Sequence, residues 1–244
     1  MSSVVTPYDS ETGKKQQVAK MFDNIAKRYD FINTLLSLGI HKGWRKKAVR
    51  KLLKFHPKTI LDVATGTGDF AIVSLKKLNP DRVVGVDISE GMLNVGREKL
   101  KQKGLDKKIE LLYGDSENLP FEDNTFDAIT VGFGVRNFET LEKGLSSMLR
   151  VLKPGGTLVV LEFSKPKRFP AKQFYNLHFY HLTPAIGGMI SKDKKAYSYL
   201  PESVKAFPDG KEFTDILEKT GYSETSRQPL ALGIASIYTG RKPQ

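Results

Sequence analysis

Five near-continuous apolar runs of strand length, separated by segments of helical periodicity, leave this chain few folds to choose from. The runs are Thr59 to Ala64, Arg82 to Asp87, Ile109 to Tyr113, Phe126 to Gly132 and Thr157 to Phe163. Between them, Asp69 to Lys77, Ser89 to Lys103 and Leu141 to Val151 repeat apolar residues at helical spacing. Strands that are apolar on both faces belong inside a parallel sheet covered by helices on each side. The pattern therefore predicts a doubly wound, mostly parallel α/β sheet. After a helical stretch from Gly210 to Thr220, Tyr222 to Ser226 and Leu232 to Thr239 read as a closing hairpin, which makes seven strands.

The remaining segments arrange themselves around that sheet. From Gln16 to Phe55, Val18, Phe22 and Ile25, then Leu35, Leu36 and Leu38, then Trp44, Ala48 and Leu52 recur at helical spacing, with breaks at Asn33 and Gly39. Two or three amphipathic helices are expected, forming an N-terminal helical cap over residues 1–56. Residues 57–165 make the sheet core. Residues 166–208, aromatic and basic and interrupted by Pro170, Pro184, Pro201 and Pro208, read as an insertion before the closing helix and strands of 209–244. A length of 244 residues suits one such α/β domain.

Composition removes several classes of function. With no cysteine there is no disulfide, no thiolate nucleophile and no cysteine metal site. Met1 to Lys20 is polar, and no segment approaches the ~18 continuous apolar residues of a membrane span, so a cytoplasmic protein, soluble or peripheral, is expected. The formal charge of +12 raises nucleic acid or an anionic membrane as partners. Its cations fall in short groups such as Arg45-Lys46-Lys47 and Lys165 to Arg168. No RNA-binding module is present, and no nucleic-acid partner is expected.

The chemistry gathers after the first strand. In Ile60 to Ala71 a strand ends in a turn carrying Gly66 and Gly68 and opens a helix, the arrangement that lets backbone N–H groups approach a nucleotide-like ligand. Thr65 stands in the same turn. About 20 residues on, the next strand ends in Asp87, placed to accept hydrogen bonds from both ribose hydroxyls of an adenosine. After the third strand, Asp115 and Ser116 supply a carboxylate and a backbone N–H suited to the adenine amino edge, or alternatively a turn and helix cap. Asp62 is either a cofactor contact or a strand-end carboxylate that holds the glycine turn. His178 and His181 share a helix face but lack a third ligand, so no metal is expected. His41 and His56 read as packing or surface residues.

These residues resemble the class I S-adenosylmethionine methyltransferases and, within them, the C-methyltransferases of menaquinone and ubiquinone biosynthesis. Tyr29-Asp30-Phe31-Ile32-Asn33-Thr34-Leu35-Leu36-Ser37, continuing to His41 and Trp44, is similar to that family's N-terminal signature, with Ile32 where methionine is usual. Arg150 to Gly156 and Glu162-Phe163-Ser164-Lys165-Pro166 resemble a second signature. Glu117 to Phe121 and Phe133-Gly134-Val135-Arg136-Asn137 also match, so the likeness runs from about Val18 to the C-terminus. It implies a Rossmann-like fold, S-adenosyl-L-methionine as cofactor and a prenylated quinol as substrate, with demethylmenaquinol favoured over the ubiquinone precursor.

The expected reaction needs a ring carbon made nucleophilic by loss of an adjacent hydroxyl proton. A cation or hydrogen-bond donor beside that oxygen would help, and Arg136 and Asn137 are the candidates. Tyr29 either orients the ring or packs a helix junction. Contact with an anionic bilayer through the aromatic and basic insertion, and a homodimer, are further expectations. Three other readings stand beside this one: a nicotinamide dehydrogenase using Tyr238 and Lys242, a methyltransferase acting on another small molecule, and a basic RNA-binding protein.

Overall fold

The computed structural model describes residues 5–8, 11–167, 169, 172–173, 175 and 194–244. Among them, seven strands form one sheet: β1 (Thr59–Val63), β2 (Arg82–Asp87), β3 (Ile109–Tyr113), β4 (Phe126–Gly132), β5 (Leu152–Phe163), β6 (Ser223–Leu230) and β7 (Ala235–Arg241). Their order is β3-β2-β1-β4-β5-β7-β6, parallel throughout except for β7, which runs antiparallel to both neighbours. The chain builds from β1 outward to β3 and then returns to lay β4 against the other side of β1. That reversal opens a crevice at the carboxyl ends of β1 and β4, where doubly wound sheets bind their ligands.

Helices α1 (Lys14–Leu36), α2 (Ile40–Arg50), α3 (Asp69–Leu78), α4 (Glu90–Gln102), α5 (Leu141–Val151), α6 (Lys194–Ala206) and α7 (Lys211–Thr220) surround the sheet. Alternate strand residues feed two cores. Leu61, Val63, Ile129, Val131, Leu158 and Val160 pack under α5 and α7 through Leu145, Met148, Phe213 and Leu217. Ile60, Val83, Ala128, Val159 and Leu161 pack under α2, α3 and α4 through Trp44, Val49, Phe70, Leu75 and Leu93. Helices on both faces account for the unbroken apolar runs. A third cluster places Tyr199 of α6 among Val18, Met21, Ile25 and Ile32 of α1.

Several boundaries differ from the sequence reading. Asn33 does not break α1, which continues to Leu36. The helix ends instead where the Gly39 N–H reaches back to the Thr34 carbonyl at 2.9 Å with Gly39 at φ 75°, a left-handed stop. β5 starts at Leu152, ahead of Thr157, because Lys153-Pro154-Gly155-Gly156 forms a bulge within the strand, between the pairs Phe126 with Leu152 and Ala128 with Thr157. β6 runs on to Leu230 past Pro229, tolerable at a sheet edge, and its mostly exposed residues gave no apolar alternation to read. β7 begins only at Ala235 because Leu232 turns at φ 57°.

The Tyr238 and Lys242 pair of the dehydrogenase reading lies on and just after β7, with no helix. Tyr238 is fully buried and its hydroxyl accepts the Gly210 N–H at 2.8 Å, while the Lys242 ammonium holds Asn124 and two backbone carbonyls. Both side chains are structural. His178, His181 and, of the insertion's aromatic residues, Phe174, Phe179 and Tyr180 lie outside the described residues. Among those described, no helix is long and apolar enough to cross a membrane.

Candidate active site

The crevice holds about 630 Å³ of space, part of it open to solvent, between the ends of β1, β2 and β4 and a roof supplied by α1. Gly66, Asp87, Asp115, Phe133 and Asn137 line it from the sheet side, and Val18, Phe22 and Tyr29 from above. Its rim is strained. Ala64 (φ 52°) and Phe133 (φ 59°), at the ends of β1 and β4, adopt a left-handed conformation unfavourable for residues with side chains. Such outliers persist where the surroundings over-determine them, typically at binding sites.

Beneath the glycine turn sits Asp62, only 1% exposed, its carboxylate accepting from the Thr65 and Thr130 hydroxyls at 2.6 and 2.7 Å and from the Ala71 N–H at 3.2 Å. Asp62 and Thr65 thus lie beneath the crevice lining and brace the turn, the second of the two roles weighed for Asp62. Gly68 (φ 81°) caps α3. Of the four residues named in this turn, Gly66 alone lines the crevice.

Asp87 does line it, and its two oxygens already accept backbone N–H groups, Gly66 at 2.8 Å and Ser89 at 2.9 Å. The carboxylate therefore fixes the turn over the crevice, and its remaining lone pairs are left for a ligand. Removing it would disturb the turn as well as any ligand contact. Burial pushes both Asp87 and Asp62 up to about 6, against the pull of their hydrogen bonds. A ligand that donates two hydroxyls to Asp87 needs the ionised form, so its affinity is lost as pH falls through the folded-state value. Calorimetry is expected to find S-adenosylmethionine bound roughly tenfold more weakly at pH 5 than at pH 7. A flat profile would detach Asp87 from the ligand.

Asp115 and Ser116 also line the crevice. The Lys15 ammonium of α1 holds Asp115 at 2.6 Å and stands 3.7 Å from Glu117. Partial burial works against that charge, but the Asp115 hydrogen bond and nearby carboxylates outweigh it and raise the Lys15 pKa. Other polar ties clamp α1 over the site. Asp23 accepts from the Ser89 hydroxyl and the Gly91 N–H at the start of α4, a favourable place for a carboxylate. Asp30 meets Thr67 at 2.7 Å and Lys99 at 2.5 Å.

At the far end stands Asn137, with Arg136 next to it in the chain but outside the crevice lining. The expected cation is paired: the Arg136 guanidinium donates to Glu162 at 2.8 Å, with Glu162 fully buried and Arg136 8% exposed at its side chain. Burial raises the Glu162 pKa and the Arg136 charge opposes that rise. Arg136 also lies 5.5 Å over the Phe163 ring. Five buried side-chain polar atoms lack a hydrogen-bond partner among the described residues. Three of them are Arg136 Nε, Asn137 Oδ1 and the Tyr199 hydroxyl. Buried polar atoms are nearly always paired, so these three stand out; of the three residues Asn137 alone lines the crevice, where its amide oxygen is open to a donor. Tyr29 closes this end half-buried, edge-on to Phe22 at 5.9 Å and bonded to Asn33.

Sequence reasoning missed Glu162, Tyr199, Lys15, Asp23 and Asp30 as site residues. Two lay within quoted signatures, Asp30 beside Tyr29 and Glu162 ahead of Phe163, with no partner visible in one dimension. His41 is buried against Ser37, and burial with the Arg45 charge pulls it down to about 4, so it is neutral and serves packing. Among the described residues no group of three or more acidic or histidine side chains is gathered to hold a metal.

Solved structures share this architecture. A S-adenosylmethionine-dependent methyltransferase of Thermotoga maritima, described as a possible histamine N-methyltransferase, superposes with TM-score 0.63 at 20% identity, covering 91% of this chain and 98% of its own. An N-methyltransferase from Haemonchus contortus, solved with S-adenosylhomocysteine, gives TM-score 0.59 at 17% identity over 81% of this chain and 52% of its own. At these identities the likeness speaks for the fold, which is that of the Rossmann-like, S-adenosylmethionine-dependent methyltransferases. The model of the ubiE/COQ5 methyltransferase family matches residues 10–242, and the chain belongs to that family. The demethylmenaquinone methyltransferase of Bacteroides fragilis is 51% identical over 238 residues, 98% of this chain and 97% of its own. That of Porphyromonas gingivalis is 44% identical over 98% of each chain. The ubiquinone/menaquinone biosynthesis C-methyltransferase UbiE of Geobacter sulfurreducens is 44% identical over 95% of this chain and 90% of its own.

Proposed function

We propose that this protein methylates a ring carbon of demethylmenaquinol with S-adenosyl-L-methionine as donor. The observation that carries the reading is the unpartnered Asn137 Oδ1 in a crevice whose other end suits an adenosine, with the orphaned Arg136 Nε and Tyr199 hydroxyl on the elements beside it. The residues fit the cofactor: Asp87 offers free lone pairs for the ribose hydroxyls, Gly66 leaves its surroundings open, Met92 and Phe138 give apolar walls, and Asp115 and Ser116 stand for the adenine edge. Asp62 and Thr65 hold the turn, and Gly68 starts the helix behind it. The cofactor supplies an electrophilic methyl group on a sulfonium.

This chain's own residues prepare the nucleophile. A quinol hydroxyl set beside Arg136 Nε would give its proton to solvent water entering the open crevice more readily, because a guanidinium held by Glu162 stabilises the phenolate, with Asn137 Oδ1 orienting the hydroxyl. Negative charge then flows into the ring carbon beside that oxygen. Phe133, Phe22 and Tyr29 flank the ring and fix its distance to the donor, and positioning of this kind supplies much of the remaining rate. Only the reduced ring has the hydroxyl to ionise. The prenyl tail brings the protein, a cytoplasmic one in this reading, to the inner face of an anionic membrane.

Methyl transfer from labelled S-adenosylmethionine to short-chain demethylmenaquinol and to the corresponding ubiquinone precursor, each reduced and oxidised, tests the reading. Product is expected from the reduced naphthoquinol alone. Product from both quinols would make the enzyme dual-purpose, and product from neither, with cofactor binding intact, would overturn the substrate.

A further inference from the structure

We infer that the outer face of the corner between α1 and α2 docks on an anionic lipid bilayer; the inference rests on the prenylated-quinol reading and gives it a place of contact. Phe31 and Leu35, four residues apart on one face of α1, are 63% and 40% exposed, and Leu38, in the turn that follows the helix, is 84% exposed. Ile40, the first residue of α2, adds 53% exposure. Leu38 is also at φ 49°, a left-handed conformation that a leucine adopts only at a cost. The chain thus strains its backbone to hold an apolar side chain out into water.

Several cations beside this tip have no ion-pair partner among the described residues. Between Asp30 and Asp62 the sequence has no acidic residue and eight lysines or arginines. Arg45 is satisfied by Asp69 at 3.2 Å. On α2, Lys42, Lys46 and Arg50 are exposed and lie four residues apart, so like charges repel along the same helix face. Lys47 is exposed beside them. An apolar edge continued by a basic helix face is the pattern of a monotopic membrane contact, in which apolar groups enter the interface and cations meet anionic headgroups. A nucleic acid would repay the cations but give Phe31 and Leu38 nothing to bury them.

The corner also sits where the substrate reading needs it. Residues two apart on a helix point about 200° from one another, so Phe31 faces away from the crevice that Tyr29 lines. A bilayer on the outer face of α1 would lie one helix diameter, roughly 10 Å, from the site. None of these residues belongs to the insertion, where sequence alone put the membrane contact.

The test is co-sedimentation of the full chain with phosphatidylglycerol-containing vesicles and with pure phosphatidylcholine vesicles, without substrate. Wild type is expected on the anionic vesicles only, released by salt. The pairs Phe31→Ser with Leu38→Ser, and Lys42→Glu with Lys46→Glu, should each lower the partition coefficient about tenfold or more. Turnover of a short-chain quinol in solution should be unchanged, and that of a long-chain quinol in vesicles should fall. Leu38→Asn, which suits a positive φ, should raise the thermal unfolding midpoint while weakening vesicle binding, a combination a structural leucine would not give.

Vesicle binding that survives both pairs overturns the inference. So does a dimer that dissociates in the first pair with vesicle binding untouched, which would make the corner a contact between two copies, or RNA retention on filters lost in the second pair with no vesicle binding in wild type. Vesicle binding lost in the variants, with no quinol methylated by any form, would keep the surface and remove the substrate. The reverse result would keep the substrate and remove the surface.

Discussion

Arg136→Met alone is expected to lower the free energy of unfolding by about 3–5 kcal/mol, and Arg136→Met combined with Glu162→Leu to recover most of that loss while methyl transfer stays about a hundredfold or more below wild type. The reasoning follows from burial. Glu162 is inaccessible and Arg136 nearly so, and removing one partner leaves the other as an uncompensated charge away from water. Removing both leaves apolar side chains of similar volume, and such replacements are often neutral or stabilising. A pair with a purely structural purpose would then be dispensable. If the double variant folds and retains turnover, Arg136 has no part in the reaction and the orphaned Nε is incidental. Urea unfolding measured beside initial rates separates the two contributions, which a single alanine substitution confounds.

That distinction could not be drawn from the sequence, and the reason is general to the site. The sheet was legible because its signal is local: apolar runs and helical spacing repeat within 10 to 15 residues, and each of β1 to β4 lies where its run predicted it. The glycine turn and Asp87 were legible for the same reason, since strand, turn and helix follow in order. What failed is non-local. Asp62 stood open between a cofactor contact and a carboxylate that holds the glycine turn, and only Thr130, 68 residues away on another strand, shows its carboxylate to be in use below the turn. The partner of Arg136 could not be read, because Glu162 is 26 residues off and on a strand of its own. The edge strand β6 carries no apolar alternation, so its true length had no signature. Polar residues declare their type in sequence and their partner only in the fold.

Asp87→Asn carries the second large effect, a loss of cofactor affinity of about a hundredfold. Asparagine offers one acceptor where aspartate offers two, so either the Gly66 or the Ser89 N–H loses its partner and faces an amide donor. The glycine turn is then no longer held at the crevice, and the ribose loses an acceptor as well. Since asparagine does not titrate, the affinity that remains should be flat between pH 5 and pH 7, where wild type weakens roughly tenfold. The two carboxylates that burial pushes to about 6 are thereby told apart. If Asp87→Asn keeps a pH dependence with its midpoint near 6, the proton belongs to Asp62, and acid weakens the cofactor by loosening the turn from beneath. If the dependence vanishes, the titrating group is the carboxylate that meets the ribose.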